Sequence, residues 1–391
     1  MSRVRPSTIR EILKVTEQPD VISFAGGLPA PELFPVDDIL TATGRVLREA
    51  GPQALQYGPT EGFSGLRETF AAEMRSRGVA CSFEEILVTT GSQQGLDLIG
   101  KIFLDAGDCV LTENPTYLAA IQAFQMYEIQ FVPVPTDELG LIPEALPELI
   151  ERAHPKFLYT IPNFQNPTGV TLAAERRRTL YEIAARYGLL VVEDDPYGKL
   201  RYAGTPIPSI KSLDTEGIVV YLSTVSKTIT PGLRTGWAVA NREILRKLVI
   251  GKQAADLHAS NLDQRIVHRY LADFDNEAHV ERIRQAYGER YATMDACLRE
   301  VMPPGFSWTH PEGGMFLWVT CPDGSDTTEL MQEALQRKVL FVPGRDFFPD
   351  ASGIRFMRLN FSNAKPEQIR QGIKRLGEVC HAALASAGAR T

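Results

Sequence analysis

From about residue 84 the hydrophobic pattern becomes regular. Short apolar runs, Ile86 to Thr90, Cys109 to Thr112, Ile129 to Pro133, Phe157 to Ile161, Leu189 to Glu193, Ile218 to Leu222 and Trp237 to Ala240, predict strands. Between them Ser92 to Leu104, Pro115 to Met126 and Ala173 to Tyr187 carry helical patterning. Strands alternating with helices predict an α/β fold, a mostly parallel sheet covered on both faces.

The flanks differ. Residues 1–35 read as an arm, with Ser7 capping a short helix, a strand-like run Val21 to Phe24, and an extended connector from Ala25 to Pro31. Residues 36–80 look helical, with a break at Leu55 to Pro59. Residues 241–302 are mainly helical and end in a long charged helix, Glu277 to Val301, stopped by Pro303 and Pro304. Beyond it come strands near Met315 to Val319, Leu340 to Val342 and Ile354 to Phe361, and helices near Thr327 to Lys338 and over 366–386. That order predicts a small α+β domain. The expected division is an arm (1–35), a large domain (36–285) and a C-terminal small domain (286–391).

Composition narrows the classes. A chain of 391 residues with 44% hydrophobic and 23% charged residues is ordinary for a globular protein. A net charge of −7 argues against nucleic acid or an anionic membrane as the main partner. No apolar run reaches the roughly 18 residues of a spanning helix, and Met1 to Lys14 has no signal-peptide core. Five scattered cysteines without CxxC spacing, and no HExxH, indicate neither a disulfide framework nor a zinc site. A cytoplasmic chain is the default expectation, with no metal.

The chemistry gathers at strand ends, where open α/β sheets place their ligands. Ser223 to Arg234 follows the strand at 218–222 and supplies Lys227, three hydroxyls (Thr224, Ser226, Thr228) and Arg234. Hydroxyls, loop amides and a guanidinium suit a phosphate dianion, leaving the lysine amine free as a nucleophile. Gly91-Ser92-Gln93-Gln94-Gly95 opens a helix after a strand, an anion site by its free amides, though not a nucleotide-hydrolase phosphate loop. Tyr117 follows a turn proline and suits stacking on a flat ligand. Pro162 to Gly169 and Glu193-Asp194-Asp195-Pro196-Tyr197 end two further strands, and a carboxylate at a buried strand end needs a cationic partner such as a protonated pyridine nitrogen. Singly, each string also reads as an ordinary loop, cap or turn. Together, a Lys amine, an Asp for a ring nitrogen, a Tyr to stack and a phosphate clamp are the set that pyridoxal phosphate requires.

These motifs carry a resemblance. The chain is similar to fold-type I pyridoxal-phosphate-dependent class I aminotransferases, and most of all to the subgroup containing 2-aminoadipate and kynurenine/2-aminoadipate aminotransferases. The likeness runs through Ser7-Thr8-Ile9-Arg10, Phe24 to Pro29, Leu55-Gln56-Tyr57, Gln165 to Gly169, Glu193 to Tyr197, Ser226-Lys227, Pro231 to Arg234, Pro311 to Phe316 and Arg358 to Ser362.

The resemblance implies that Lys227 binds the cofactor aldehyde and then shuttles a proton between the substrate Cα and the cofactor C4′. It implies Asp194 on the pyridine nitrogen, Tyr197 and Asn166 on the ring oxygen, and Tyr117 stacked on the ring. Ser92, the Gln93 amide, Thr224, Ser226 and Arg234 would hold the phosphate. Tyr57 would reach the phosphate of a neighbouring subunit, hence a homodimer with shared sites. Arg358, assisted by Asn166, would bind the substrate α-carboxylate, with Gly27 lining the pocket. Ser7 and Arg10 would lie in a mobile arm over the substrate, Arg10 facing a distal carboxylate or swinging aside. The implied reaction moves an amino group from an amino acid to a 2-oxo acid by a ping-pong route. A lyase or decarboxylase on the same fold is the alternative, and a ligand-sensing domain of a transcription regulator a more distant one, since such regulators carry an N-terminal winged helix and this chain starts at the arm. One departure is Ser223-Thr224-Val225-Ser226-Lys227, where the subgroup has Gly-Ser-Phe-Ser-Lys: Thr224 keeps the hydroxyl, while Val225 alters the packing beneath the loop.

Overall fold

The computed structural model describes residues 20–388; Ser7 and Arg10 lie outside them. Seven strands form the main sheet: Ile86–Thr90 (β1), Cys109–Glu113 (β2), Gln130–Val134 (β3), Phe157–Thr160 (β4), Leu190–Asp194 (β5), Val219–Thr224 (β6) and Thr235–Val239 (β7). Their spatial order is β1-β7-β6-β5-β4-β2-β3. β7 alone among them runs antiparallel to its neighbours, so the expected mostly parallel sheet is observed.

Both faces of this sheet are apolar, and the period-2 alternation of side chains sorts residues between them. Leu87, Val110, Tyr159, Val192, Val220 and Leu222 point into one core. Their chain neighbours Ile86, Val88, Tyr221 and Trp237 enter a second, and Leu111, Leu158, Val191 and Val219 a third. This alternation decides the fate of the acidic run at the end of β5. Asp194 shares its face with Val192, whereas Glu193 and Asp195 point to the opposite side.

The expected element boundaries shift by a few residues in places. The helix expected from Pro115 begins at Leu118, so Tyr117 becomes its cap residue. The helical 36–80 stretch resolves into Val36–Ala54 and Ser64–Ser76, and helix Thr327–Gln336 ends before Lys338, which has φ +60°. A second sheet, four-stranded and antiparallel, contains Ser307–Trp308, Phe316–Thr320, Val342–Pro343 and Phe356–Asn360. Its first strand had no periodic signal, being two residues long. Ile22–Ser23 pairs in parallel with Val339–Leu340 as a separate two-stranded sheet, which ties the last part of the arm to the C-terminal region. Helix Pro366–Gly388 packs on the long helix Asn276–Val301. The first core runs without a break from the main sheet through Phe316, Leu359 and Ile373. No helix among the described residues is long and apolar enough to cross a membrane.

Candidate active site

Lys227 ends a 3-10 turn, Val225–Lys227, that directly follows β6. Thr224 caps this turn by accepting the Ser226 amide at 3.1 Å, shares a 2.8 Å hydrogen bond with the Ser226 hydroxyl and donates to the Thr235 carbonyl at 2.9 Å. Val225 is buried beneath the loop in the core that holds Ile229 and Trp237. The Lys227 Nζ donates to the Gly27 carbonyl at 3.0 Å. Burial, and then the positive charges of Arg234 and Arg358, lower its pKa to about 8. A neutral amine is therefore accessible near physiological pH.

Arg234 adopts a left-handed conformation, φ +44°, costly for a side chain with a Cβ. It brings the guanidinium against Gly91, the first residue of helix Gly91–Phe103 (α1). A Cβ on Gly91, itself at φ +70°, would lie 2.6 Å from Arg234 Nη2. Gly236 on β7 matters equally, because a Cβ there would meet the Gly91 carbonyl carbon and the Ser92 amide nitrogen at 2.7 Å. These two glycines let the N-terminus of α1 sit on the sheet beside Arg234, with the Ser92 and Gln93 amides in its first turn. Such a cluster of free amides and a guanidinium favours a dianion.

Asp194 is buried and accepts the Tyr159 hydroxyl at 2.9 Å through Oδ2. Its Oδ1 is buried without a hydrogen-bond partner among the described residues. Burial raises its pKa to about 7, so an approaching cationic N–H would stabilise the carboxylate. Asp195 has the opposite surroundings: Arg77 at 2.7 Å, Tyr221 at 2.8 Å and Asn163 at 2.8 Å satisfy it and hold its pKa below the usual range despite burial. Glu193 accepts the Ile210 and Lys211 amides at 2.9 and 2.7 Å. Of the three carboxylates, Asp194 is the one with an open valence.

Arg358 on strand Phe356–Asn360 is only 2% exposed. It donates to Asn166 Oδ1 and to the Ala25 carbonyl, both at 2.7 Å. The guanidinium carbon lies 4.3 Å from the Phe316 ring centre and 5.1 Å from that of Phe347, and Nε has no partner among the described residues. Burial pushes its pKa down to about 10. Tyr197 is buried edge-on to Phe316, and hydrogen bonding to Asn166 and the charge of Arg358 partly offset the upward effect of burial on its hydroxyl. The Tyr117 hydroxyl, pushed up to about 12 chiefly by burial, feels the charges of Asp194, Arg358 and Arg234. Gly27 faces the same space, and a Cβ there would lie 3.4 Å from Phe316 Cζ.

Lys227, Asp194, Tyr197, Asn166, Tyr117, Arg358 and Gly27 thus converge, and Ser92, Gln93, Thr224, Ser226 and Arg234 surround the start of α1. Tyr57 is different. It is 77% exposed and lies edge-to-face with the His258 ring, the centroids 5.7 Å apart.

Comparison with known proteins decides the family. The profile of the family described as aminotransferase class I and II matches residues 19–376. The chain belongs to this family. It is 47% identical to aromatic-amino-acid aminotransferase 1 of Thermococcus litoralis, over 96% of this chain and 91% of that one. The kynurenine aminotransferase of Pyrococcus horikoshii, solved in complex with PMP, superposes with a TM-score of 0.94 at 44% identity, covering 98% of this chain and 96% of that one. The α-aminoadipate aminotransferase of Thermus thermophilus, solved with N-(5′-phosphopyridoxyl)-L-leucine, gives 0.93 at 43%, covering 98% and 97%.

The protein is an aminotransferase of the pyridoxal-phosphate-dependent fold type I, and its own atoms fit that cofactor. The orphaned Asp194 Oδ1 suits a protonated ring nitrogen, Lys227 a covalent attachment, and the Arg234–Gly91 corner a phosphate. Sequence reasoning missed Tyr159, which orients Asp194, and Phe347, which covers Arg358. A tyrosine in an apolar strand reads as core. Only the β4–β5 register, with Tyr159 opposite Val192 and Thr160 opposite Glu193, reveals it as a neighbour of Asp194.

Proposed function

We propose that this aminotransferase moves the α-amino group of an amino acid to a 2-oxo acid such as 2-oxoglutarate in two half-reactions, by a ping-pong mechanism. The donor class is 2-aminoadipate, glutamate, aromatic or branched-chain amino acids. The carrying observation is Arg358: a buried guanidinium with no acid partner among the described residues, an open Nε and two aromatic walls, in the same pocket as the Lys227 amine. A substrate carboxylate supplies the charge that this pocket lacks.

When bound, pyridoxal phosphate supplies an aldehyde to hold the amino group and a ring to accept the Cα electron pair. Asp194 would keep a proton on the ring nitrogen, and the Tyr159 hydroxyl fixes that carboxylate. Tyr197 and Asn166 would hydrogen-bond the ring oxygen, and Tyr117 would cover the ring. Lys227 Nζ, whose pKa is lowered to about 8 so that a fraction is neutral near physiological pH, would take the proton from the donor Cα. Arg358 holds the α-carboxylate so that the Cα–H bond faces this amine. Asn166 links the two tasks, since its Oδ1 already accepts from Arg358.

The protein acts as a homodimer in this reading. Tyr57, Leu55, Val36 and Leu40 are large apolar or aromatic side chains left 67–77% exposed on and just after helix Val36–Ala54, which a second copy would cover. The long helix Asn276–Val301 spans the boundary between a cofactor domain, 36–285, and a small domain, 286–391. The test is steady-state turnover with L-2-aminoadipate, glutamate, leucine, phenylalanine and kynurenine, each with and without a 2-oxo acid acceptor. Sustained product formation only with an acceptor supports transamination. Sustained formation without one would assign a lyase or decarboxylase instead.

A further inference from the structure

One charge cluster built around a buried lysine lies outside the groups used so far. Lys252, near the C-terminal end of helix Arg242–Ala255 (α2), has a side chain that is 0% exposed. Its three ammonium donors reach three acceptors: Gln94 Oε1 at 2.6 Å and the two Asp256 oxygens at 2.9 and 3.0 Å. Asp256 also accepts Gln94 Nε2 at 2.6 Å and the Thr90 hydroxyl at 3.1 Å. Gln94 Oε1 in turn accepts the Thr90 amide at 2.9 Å. Every hydrogen bond from this cluster to the start of α1 falls on Thr90 or Gln94, the residues on either side of the Gly91-Ser92-Gln93 turn.

The turn needs such help. Its cap residue, Thr90, makes no side-chain hydrogen bond to the helix it precedes, because its hydroxyl is committed to Asp256. Gly91 gives the turn a backbone freedom that nothing intrinsic to the peptide restricts. The cluster also settles an electrostatic conflict. Asp256 and Asp97 line the same opening as Gln93 and Arg234, where a free carboxylate would repel an anion; Lys101 pairs with Asp97 at 3.6 Å, and Lys252 neutralises Asp256 from the buried side.

We propose that Lys252, Asp256 and Gln94 form a positioning bracket that holds the first turn of α1 in its anion-binding geometry and cancels the acidic charge beside it. The bracket acts on the cofactor phosphate and not on the ring, and it rests on the reading of Ser92, Gln93 and Arg234 as the phosphate seat. None of its three residues is asked to touch the reacting atoms.

A pair of ligands tests this: pyridoxal phosphate and pyridoxal, which differ by the phosphate alone. Both are titrated by absorbance into the full-length chain stripped of cofactor, in the parent and in K252M, Q94L and R234M. The bracket requires K252M to weaken pyridoxal phosphate at least about tenfold while pyridoxal affinity stays within about twofold. Q94L keeps the Lys252–Asp256 pair and its one bond to the Thr90 hydroxyl but removes the three hydrogen bonds that run through the Gln94 amide, so it must shift the same ratio in the same direction even where K252M fails to fold. Equal weakening of both ligands by these variants, or of neither, overturns the bracket. R234M separates the two levels of inference. If R234M discriminates between the ligands and the bracket variants do not, only the bracket falls. If R234M does not discriminate either, the phosphate seat itself is misassigned.

Discussion

Replacing Arg358 by methionine isolates the recognition of the substrate carboxylate. The guanidinium is nearly inaccessible, its charge is offset by no acid among the described residues, and burial lowers its pKa to about 10. That displacement corresponds to about 3 kcal/mol of unfavourable burial of the charge, which an incoming carboxylate relieves. Truncating one partner of a buried, hydrogen-bonded charge pair costs about 2–5 kcal/mol, and the two figures overlap at about 3–4 kcal/mol. The kcat/KM for an α-amino acid should therefore fall roughly 200- to 1,000-fold in R358M. Methionine retains much of the packing between Phe316 and Phe347, so the bound-cofactor absorbance should persist. The assay is the single-turnover half-reaction, followed by loss of that absorbance, with L-phenylalanine and with 2-phenylethylamine, which lacks the carboxylate. The substitution should collapse the rate ratio between the two substrates and leave the amine rate nearly unchanged. A loss below tenfold for phenylalanine, or equal losses for both compounds, would refute the carboxylate role of Arg358.

Two other outcomes follow from the titrating groups. Attachment of the cofactor aldehyde requires the neutral Lys227 amine, so its rate should rise with pH through about 8 and then level; R234M removes one depressing charge and should move the midpoint upward, as a stopped-flow pH profile would show. D194N replaces the open Oδ1 valence with an amide that carries no charge, so the half-reaction should slow by about a hundredfold or more while cofactor stays bound, read from single turnovers beside the absorbance of the loaded protein.

Much of this site is legible in the sequence, because its residues lie at the ends of strong apolar runs. Lys227 and Asp194 stand out in this way: a lysine or a carboxylate directly after a buried strand has to meet a partner. Which carboxylate of Glu193, Asp194 and Asp195 faces the pocket follows from alternation once β5 is known to bury both faces. The partners are not legible. Tyr159 reaches Asp194 across a strand register, and Phe347 reaches Arg358 from the turn Gly344–Phe347, after a strand that pairs with Arg358's own, and both are encoded only in topology. The Lys252 bracket is hidden for the same reason, since an i,i+4 Lys–Asp pair on a helix ordinarily signals a solvated face. The short strand Ser307–Trp308 escapes because two residues carry no period.

Lys227 carrying pyridoxal phosphate and exchanging it for an amino donor is the central claim, and one spectrum tests it directly. The full-length protein loaded with pyridoxal phosphate is scanned before and after L-2-aminoadipate is added without an acceptor, and again after 2-oxoglutarate. The expected result is a visible band that moves to the near ultraviolet with the donor and returns with the acceptor. A band that other donors move but 2-aminoadipate does not would restrict the donor range. No band at all, even with excess pyridoxal phosphate, would contradict the assignment of Lys227 and the mechanism built on it.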